Sequence, residues 1–98
     1  MSRRILVSKR AHREIQNIDT WWVANRELSR DLFYQELSEA MDIVRRRPTL
    51  GQRYPSQTGN VRRLLLRGTR YHLYYKALPG KVLVLSVWSA IRGRGPKL

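Results

Sequence analysis

The sequence predicts an α+β domain in which a helical hairpin packs on one face of a mainly antiparallel sheet. Between Ser8 and Pro48, apolar residues recur at the spacing of an amphipathic helix. Beyond Asn60 the apolar period changes from 3.6 to 2, in three successive segments separated by turn residues. The predicted order is β-α-α-β-β-β, in a single domain that spans residues 1–98.

The first two elements are a short strand and a helix. Residues 5–7 (ILV) suit a strand, although so short an apolar run also suits the start of a helix. Ser8 is a candidate N-cap, and Asn25 and Arg26 are the predicted stop. One helical face carries Ala11, Ile15, Ile18 and Trp22.

The second helix has the clearest apolar stripe of the chain. Ser29 is its candidate N-cap, with Asp31 in the first turn, where the helix dipole favours an anion. Pro48 ends the helix, because the residue before a proline avoids helical geometry. A link of three or four residues makes the two helices an antiparallel hairpin. The buried stripe comprises Phe33, Leu37, Ala40, Met41 and Val44.

Residues 49–60 are predicted to be a loop, and three strands follow it. A two-residue turn at Gly68 and Thr69 pairs Leu65 with His72 and Arg63 with Tyr74. This register places on the core face Leu64, Leu66, Tyr71, Leu73 and Tyr75.

The last strand follows a turn around Pro79 and Gly80, a pair typical of a type II turn. A three-residue loop is preferred here because it brings into the core Leu83, Leu85 and Val87. From Ile91 onward the chain has too much Gly and Pro for regular structure.

The charge of the chain is strongly asymmetric. All seven acidic residues lie between Glu14 and Asp42, and no Asp or Glu follows among residues 43–98. The net charge of +13 favours a polyanionic partner, either nucleic acid or an acidic protein. There is no cysteine, and no apolar run suits a signal peptide or membrane span, so we expect a soluble cytoplasmic protein without a membrane partner.

The outer face of the predicted sheet concentrates cations and aromatic rings. Its members are Arg63, Leu65, Arg67, Arg70, His72, Tyr74 and Lys76, joined by Ser86 and Trp88. Such a surface suits stacking and phosphate contacts with single-stranded nucleic acid. The alternative is an ordinary solvated sheet face, on which Arg63 and Tyr74 form a stabilising cation–π pair.

The titratable groups give little sign of catalysis. His72 lies among cations that disfavour its charged form, so a structural or merely exposed histidine is the preferred interpretation. The carboxylates lie on the helices and are interpreted as solvated faces, with neither a metal site nor a cofactor. Trp21 and Tyr34 lie off the buried stripes, where they either cover the sheet edge or receive an apolar partner.

Three segments of the C-terminal half resemble the RelE/ParE superfamily of type II toxin–antitoxin toxins: residues 61–66 (VRRLLL), 71–75 (YHLYY) and 82–96 (VLVLSVWSAIRGRGP). Similar helical residues are Ala11, Ile15, Trp22, Phe33, Leu37 and residues 48–51. The resemblance covers essentially the whole chain. It implies a RelE/ParE-like fold and a small basic toxin, neutralised by a co-encoded acidic antitoxin.

The superfamily divides by target: RelE-like members cut messenger RNA on the ribosome without a metal, and ParE-like members poison DNA gyrase. Cleavage requires a deprotonated 2′-hydroxyl, cations for the phosphorane and an acid for the leaving oxygen. RelE-like nucleases place a Tyr or a His-Tyr pair near the C-terminus, whereas no His or Tyr follows Trp88 here. His72 or Tyr74 would have to replace that acid, beside Arg63, Arg67 and Arg70.

The absence of a His or Tyr after Trp88 favours a ParE-like toxin that inhibits gyrase without chemistry of its own. A ribosome-dependent messenger RNA endoribonuclease is the alternative, and an inactive domain that binds nucleic acid or antitoxin is the third. We expect no cofactor. The resemblance and the outer face together suggest target-binding residues Arg63, Arg67, Arg70, Trp88, Arg92 and Arg94. The suggested antitoxin contacts are Trp21 and Tyr34.

Overall fold

Two helices lie on one face of a five-stranded mixed sheet in the computed structural model, which describes residues 3–98. The elements are β1 (Arg4–Val7), α1 (Lys9–Asn25), α2 (Leu32–Arg46), β2 (Gln52–Tyr54), β3 (Val61–Leu66), β4 (Tyr71–Leu78) and β5 (Lys81–Ser89). The strand order is β1-β5-β4-β3-β2, with β1 parallel to β5 and the other pairs antiparallel. The predicted α+β class and helical layer are confirmed.

Helix α1 begins and ends where its residues predict. The Ser8 Oγ accepts a hydrogen bond from the Ala11 N–H at 3.0 Å and donates one to the Leu85 carbonyl at 3.2 Å. The cap therefore also ties the start of α1 to β5. Both apolar stripes are confirmed, because their residues are buried or pack against the buried cluster.

The predicted start of α2 is wrong. Ser29 lies in a 3₁₀ turn (Glu27–Ser29), and Asp31 is the N-cap residue, without a side-chain cap. The turn is closed by the Ser29 N–H, which donates to the Arg26 carbonyl at 2.9 Å. Because this extra turn takes up residues 26–31, the link is longer than predicted.

Strand β2 lies inside residues 49–60, which the sequence predicts as loop throughout. It pairs with β3, with Gln52 opposite Arg63 and Tyr54 opposite Val61. Three residues are too few to show a period of 2, and the partners that define this strand are backbone groups of β3. It therefore leaves no local signal in the sequence.

The β3–β4 register is confirmed, although the predicted turn type is wrong. Leu65 lies opposite His72, and Arg63 lies opposite Tyr74. The turn occupies residues 67–70 instead of Gly68 and Thr69 alone, and Arg70 adopts φ +65°. The register is the same because both turns are centred between Gly68 and Thr69.

The β4–β5 connection is a two-residue turn, not the preferred three-residue loop. Leu78 pairs with Lys81, and Gly80 has a φ of +72°, as a type II turn requires at its third position. A bulge at Leu85 follows, since Tyr75 pairs with Val84 and Tyr74 pairs with Ser86.

The two-residue turn and this bulge together decide which residues of β5 enter the core. Before it, Val82 and Val84 are buried; after it, Val87 is buried as predicted. Leu83 and Leu85 are only half-buried, so their predicted core positions are wrong. One extra residue on a strand switches the parity of its side chains, which the periodicity alone does not reveal.

The core lies between the helices and the inner sheet face. Its buried members are Ala11, Ile15, Phe33, Leu37, Ala40, Val44, Leu66, Leu73, Tyr75, Val82, Val84 and Val87. The buried Tyr75 hydroxyl donates to the Pro48 carbonyl at 2.7 Å and accepts from the Gly51 N–H at 2.9 Å, which anchors the chain between α2 and β2. Within residues 3–98, no helix has the length and apolar character needed to span a membrane.

Candidate functional site

The outer face of the sheet, opposite the helices, is partly covered by residues 90–98, hereafter the C-terminal segment. This segment has no regular structure, as predicted, but it is held across the strands by hydrogen bonds. The Tyr54 hydroxyl donates to the Pro96 carbonyl at 2.7 Å, and Trp88 Nε1 donates to the Arg94 carbonyl at 3.1 Å. Arg10 Nη1 adds a bond of 2.8 Å to the Lys97 carbonyl.

Tyr74 is buried on this outer face, contrary to its predicted exposure. Only 1% of its surface is exposed. The C-terminal segment passes so close that a Cβ on Gly95 would lie 3.0 Å from the Tyr74 Oη. Val61 and Pro96 are also buried, so the sheet has a second, smaller apolar layer under the segment.

The uncovered part of the outer face gathers most of the predicted site residues. This basic patch comprises Arg63, Arg67, Arg70, His72, Trp88, Arg92 and Arg94. His72 lies opposite Trp88 in the β4–β5 ladder, and the Ala90 N–H donates to the Arg70 carbonyl at 2.8 Å. The antiparallel pairing thereby brings the end of β5 beside the start of β4.

Two guanidinium groups lie close to the Trp88 rings. The Arg92 Cζ is 4.8 Å from the centre of its rings, and the Arg10 Cζ is 5.8 Å away. Both distances fall within the range of cation–π attraction. Sequence reasoning missed Arg10, because nothing local to α1 indicates that its first turn reaches the end of β5.

The cation–π contact of Arg63 is with a different ring from the one predicted. Its Cζ lies 5.5 Å from the centre of the Tyr54 ring, and its Nε donates to Gln52 Oε1 at 3.1 Å. Both partners belong to β2, the strand that the sequence did not predict. Tyr54 also packs edge-to-face on Tyr74, with ring centres 4.7 Å apart.

Neither titratable group of the predicted nuclease set is poised as an acid near neutral pH. Burial, followed by repulsion from Arg63 and Arg70, lowers the pKa of His72 below 6.5, so its imidazole is neutral at pH 7. Burial raises the pKa of Tyr74 above 10, against the opposing hydrogen bond from Arg63. Burial, and secondarily the cations that would hold a phosphate, therefore keep His72 uncharged.

Glu36 of α2 holds the turn between β3 and β4, contrary to its interpretation as a solvated helix residue. Its carboxylate accepts from the Gly68 N–H at 2.6 Å, the Thr69 N–H at 2.8 Å and the Thr69 hydroxyl at 2.6 Å. Burial acts to raise the pKa of Glu36, but these hydrogen bonds outweigh it and leave the pKa below 4.5.

Glu14 is a second carboxylate with a structural role that the sequence did not suggest. Its Oε1 accepts from the Ser86 Oγ at 2.8 Å and from the Val87 N–H at 3.2 Å. Its Oε2 lies 3.3 Å from the Arg10 Nε. Ser86 is fully buried at this contact, just after the bulge in β5.

No salt bridge among residues 3–98 reaches an arginine of the basic patch. The three ion pairs involve Arg10 with Glu14, and Arg45 and Arg46 with Asp42. Glu36 is directed to the backbone of the turn and to a hydroxyl, not to the arginines beside it. The patch therefore keeps its full positive charge for a partner.

A row of aromatic side chains crosses the helical hairpin at the end where α1 connects to α2. Trp22 Nε1 donates to the Tyr71 hydroxyl at 3.2 Å, and Phe33 packs on Tyr71 with ring centres 5.3 Å apart. Trp21 contacts Trp22 at one end, and Tyr34 contacts Phe33 at the other. These two end residues, the predicted antitoxin contacts, are 45% and 48% exposed.

The arrangement defines a class of small, basic α+β protein with helices on one sheet face and a cationic patch on the other. The same fold occurs in a solved chain described as the chromosomal ParDE TA system from P. aeruginosa, with a TM-score of 0.71 at 16% identity. The match covers 90% of this chain and 96% of that chain. No family model and no curated protein matches the sequence. At this identity the likeness shows the fold, and the predicted RelE/ParE-like fold is confirmed.

Proposed function

We propose that this protein is the toxin of a type II toxin–antitoxin system, that it inhibits DNA gyrase in the bacterial cytoplasm, and that an acidic antitoxin neutralises it. The observation that carries the proposal is the fold shared with a chain of the ParDE system over 90% of this chain. The net charge of +13 and the unneutralised basic patch agree with a partner that supplies the missing carboxylates.

The antitoxin binds at the exposed aromatic end of the helical hairpin in this proposal. Trp21 and Tyr34 offer two large rings, each nearly half exposed. The chain of rings between them passes through Tyr71, the neighbour in sequence of Arg70. An acidic amphipathic segment can therefore place apolar residues on the rings and carboxylates on the arginines.

The target is inhibited by binding and not by cleavage. RNA cleavage requires an acid for the leaving oxygen, but His72 is neutral at pH 7 and Tyr74 is buried under the C-terminal segment. A surface of arginines around Trp88 suits contact with a gyrase–DNA complex, because phosphate groups attract guanidinium groups and release counterions on binding.

A supercoiling assay with purified gyrase tests the proposal. We expect the protein to reduce supercoiling and to trap broken DNA, and we expect Arg92→Gln with Arg94→Gln to weaken both effects. The matched control is Arg45→Gln with Arg46→Gln, which removes the same charge from arginines paired with Asp42 outside the patch. Supercoiling that is unaffected by a large excess of the wild-type protein contradicts gyrase inhibition.

Trp21→Ala with Tyr34→Ala tests the antitoxin surface. When the toxin and its antitoxin are expressed together, this variant should still arrest growth, because the antitoxin no longer captures it. If co-expression of the antitoxin restores growth with the variant as fully as with the wild type, the antitoxin binds elsewhere. Growth unaffected by wild-type toxin alone instead indicates an inactive binding domain.

Primer extension on translated messages examines the ribonuclease alternative. Cuts positioned by codon, and lost in Arg63→Ala, would replace gyrase inhibition with messenger RNA cleavage. Intact messages during growth arrest support the gyrase proposal.

A further inference from the structure

The β3–β4 turn (residues 67–70) is held more firmly than a surface turn requires. Glu36 fixes the backbone of Gly68 and Thr69 through three hydrogen bonds from a different element, α2. The Arg70 N–H donates to the Leu66 carbonyl, and its own carbonyl accepts from the Ala90 N–H, both at 2.8 Å. The turn is thus attached to a helix, to its own strand and to the C-terminal segment.

Arg70 adopts a backbone conformation that non-glycine residues rarely adopt. Its φ of +65° lies in the left-handed region. Such a conformation persists only where the surrounding contacts enforce it, and it occurs frequently at functional sites. Gly68, in the same turn, packs closely on α2, because a Cβ at this position would be 2.9 Å from Glu36 Oε2. The close packing of Glu36 on Gly68 and the positive φ of Arg70 thus occur in the same four-residue turn.

The two arginines of this turn have free side chains. Arg67 and Arg70 are exposed, and no hydrogen bond, ion pair or ring contact with either guanidinium occurs in the described part of the chain, residues 3–98. The backbone beneath them is ordered before any partner arrives, which lowers the entropic cost of binding. A carboxylate that orders the turn without pairing with the arginines leaves both cations available.

We propose that Glu36 is a positioning residue: it fixes the β3–β4 turn so that Arg67 and Arg70 together contact the phosphates of DNA. This inference rests on the toxin function proposed above, in which a gyrase–DNA complex is bound. Phosphate is the ligand class that fits, because the turn presents two guanidinium groups that have no partner within residues 3–98. Protein interfaces in contrast bury an apolar or aromatic centre, and residues 67–70 supply none.

The sign of the change in affinity separates positioning from simple electrostatics. Glu36→Ala removes a negative charge, so electrostatic attraction alone would strengthen binding to a polyanion. Positioning predicts weaker binding, because the turn loses the three bonds that hold it. Glu39→Ala is the matched control, since Glu39 is an exposed carboxylate on the same helix and its removal changes the net charge equally.

Fluorescence polarisation with a short fluorescein-labelled DNA duplex measures these affinities. At about 0.1 M salt, each lost phosphate contact weakens binding by roughly tenfold. We expect that loss for Arg67→Ala and for Arg70→Gly, in which glycine accepts the positive φ. Glu36→Ala should weaken binding by about the same factor, Glu36→Gln by less, and Glu39→Ala not at all.

Thermal unfolding of each variant accompanies the binding measurement. If Glu36→Ala does not fold, Glu36→Gln keeps the side-chain shape and must still bind the duplex less tightly than Glu39→Gln. Equal affinities in each pair of matched variants overturn the positioning role. The proposal is also overturned if the wild type does not bind the duplex but binds a poly-glutamate peptide of equal charge, because the turn then binds acidic protein.

Gyrase inhibition is measured on the same variants. If the wild type leaves gyrase active but the duplex affinities follow the expected order, the proposed toxin function is wrong and the positioning role of Glu36 is supported. If the wild type inhibits gyrase but Glu36→Ala and Glu39→Ala behave alike in both assays, the toxin function is supported and the positioning role is wrong.

Discussion

At the residue scale, side chains of one type have different roles on the same sheet face. Arg63 is held by Gln52 and the ring of Tyr54, while Arg67 and Arg70 extend from the turn without a partner within residues 3–98. Burial, together with repulsion from Arg63 and Arg70, lowers the pKa of His72 on the same face.

The stability of the protein should fall as the pH drops below about 6.5, the ordinary pKa of histidine. Burial, with repulsion from Arg63 and Arg70, lowers the pKa of His72 in the folded state, so the unfolded chain binds more protons in this range. The contribution of His72 is therefore present above pH 6.5 and is lost as the pH falls through the folded-state pKa.

Urea unfolding at several pH values, with an NMR titration of the imidazole, checks this expectation. His72→Gln should reduce the loss of stability on acidification, whereas His12→Gln, at an exposed position, should leave it in place. An imidazole of His72 that titrates above 6.5 contradicts the assignment.

At the element scale, the C-terminal segment acts as part of the fold although it has no regular structure. It covers Tyr74 and is hydrogen-bonded to Tyr54 of β2, Trp88 of β5 and Arg10 of α1. Such a segment contributes by excluding water from the outer apolar layer and by satisfying its own carbonyl groups.

Gly95→Val should displace this segment and reduce the free energy of unfolding by about 1–3 kcal/mol, the usual cost of overpacking. The physical reason is that a Cβ at this position would overlap the Tyr54 Oη and lie 3.0 Å from the Tyr74 Oη. Urea unfolding and limited proteolysis of the segment measure the effect.

Gly93→Val is the control, because a Cβ at Gly93 has no neighbour within 4 Å. It should unfold like the wild type and resist proteolysis equally. Equal destabilisation by the two valines would mean that close packing at Gly95 is not the cause.

At the scale of the whole molecule, the net charge of +13 opposes compaction as well as attracting polyanions. We expect the melting temperature to rise when sodium chloride is increased from about 0.02 M to 0.2 M, because the Debye length shortens from roughly 20 Å to below 10 Å. Differential scanning fluorimetry measures this shift. A melting temperature that falls with salt would show that attractive ion pairs, and not repulsion, dominate the electrostatics of the fold.

Periodicity and turn residues were enough to predict much of the architecture. The stripe from Phe33 to Val44, the Ser8 cap and the pairing of Leu65 with His72 all depend on neighbours in the sequence or on a turn whose centre is known. The patch residues on β4 and β5 follow from that register. These features are local, so the sequence alone carries their signal.

The remaining features depend on segments that are distant in the chain, and only the tertiary structure decided them. Strand β2 exists because β3 offers free backbone groups, and Glu36 has its role because α2 packs above a turn 32 residues later. The two-residue turn sets the sides of Leu83 and Val84, and the bulge at Leu85 changes the parity of the residues beyond it. Sequence therefore determined the fold class and the charge of the outer face. Packing determined which arginines are free, which carboxylates hold the backbone and why Tyr74 is buried, since each depends on a contact that no local pattern encodes.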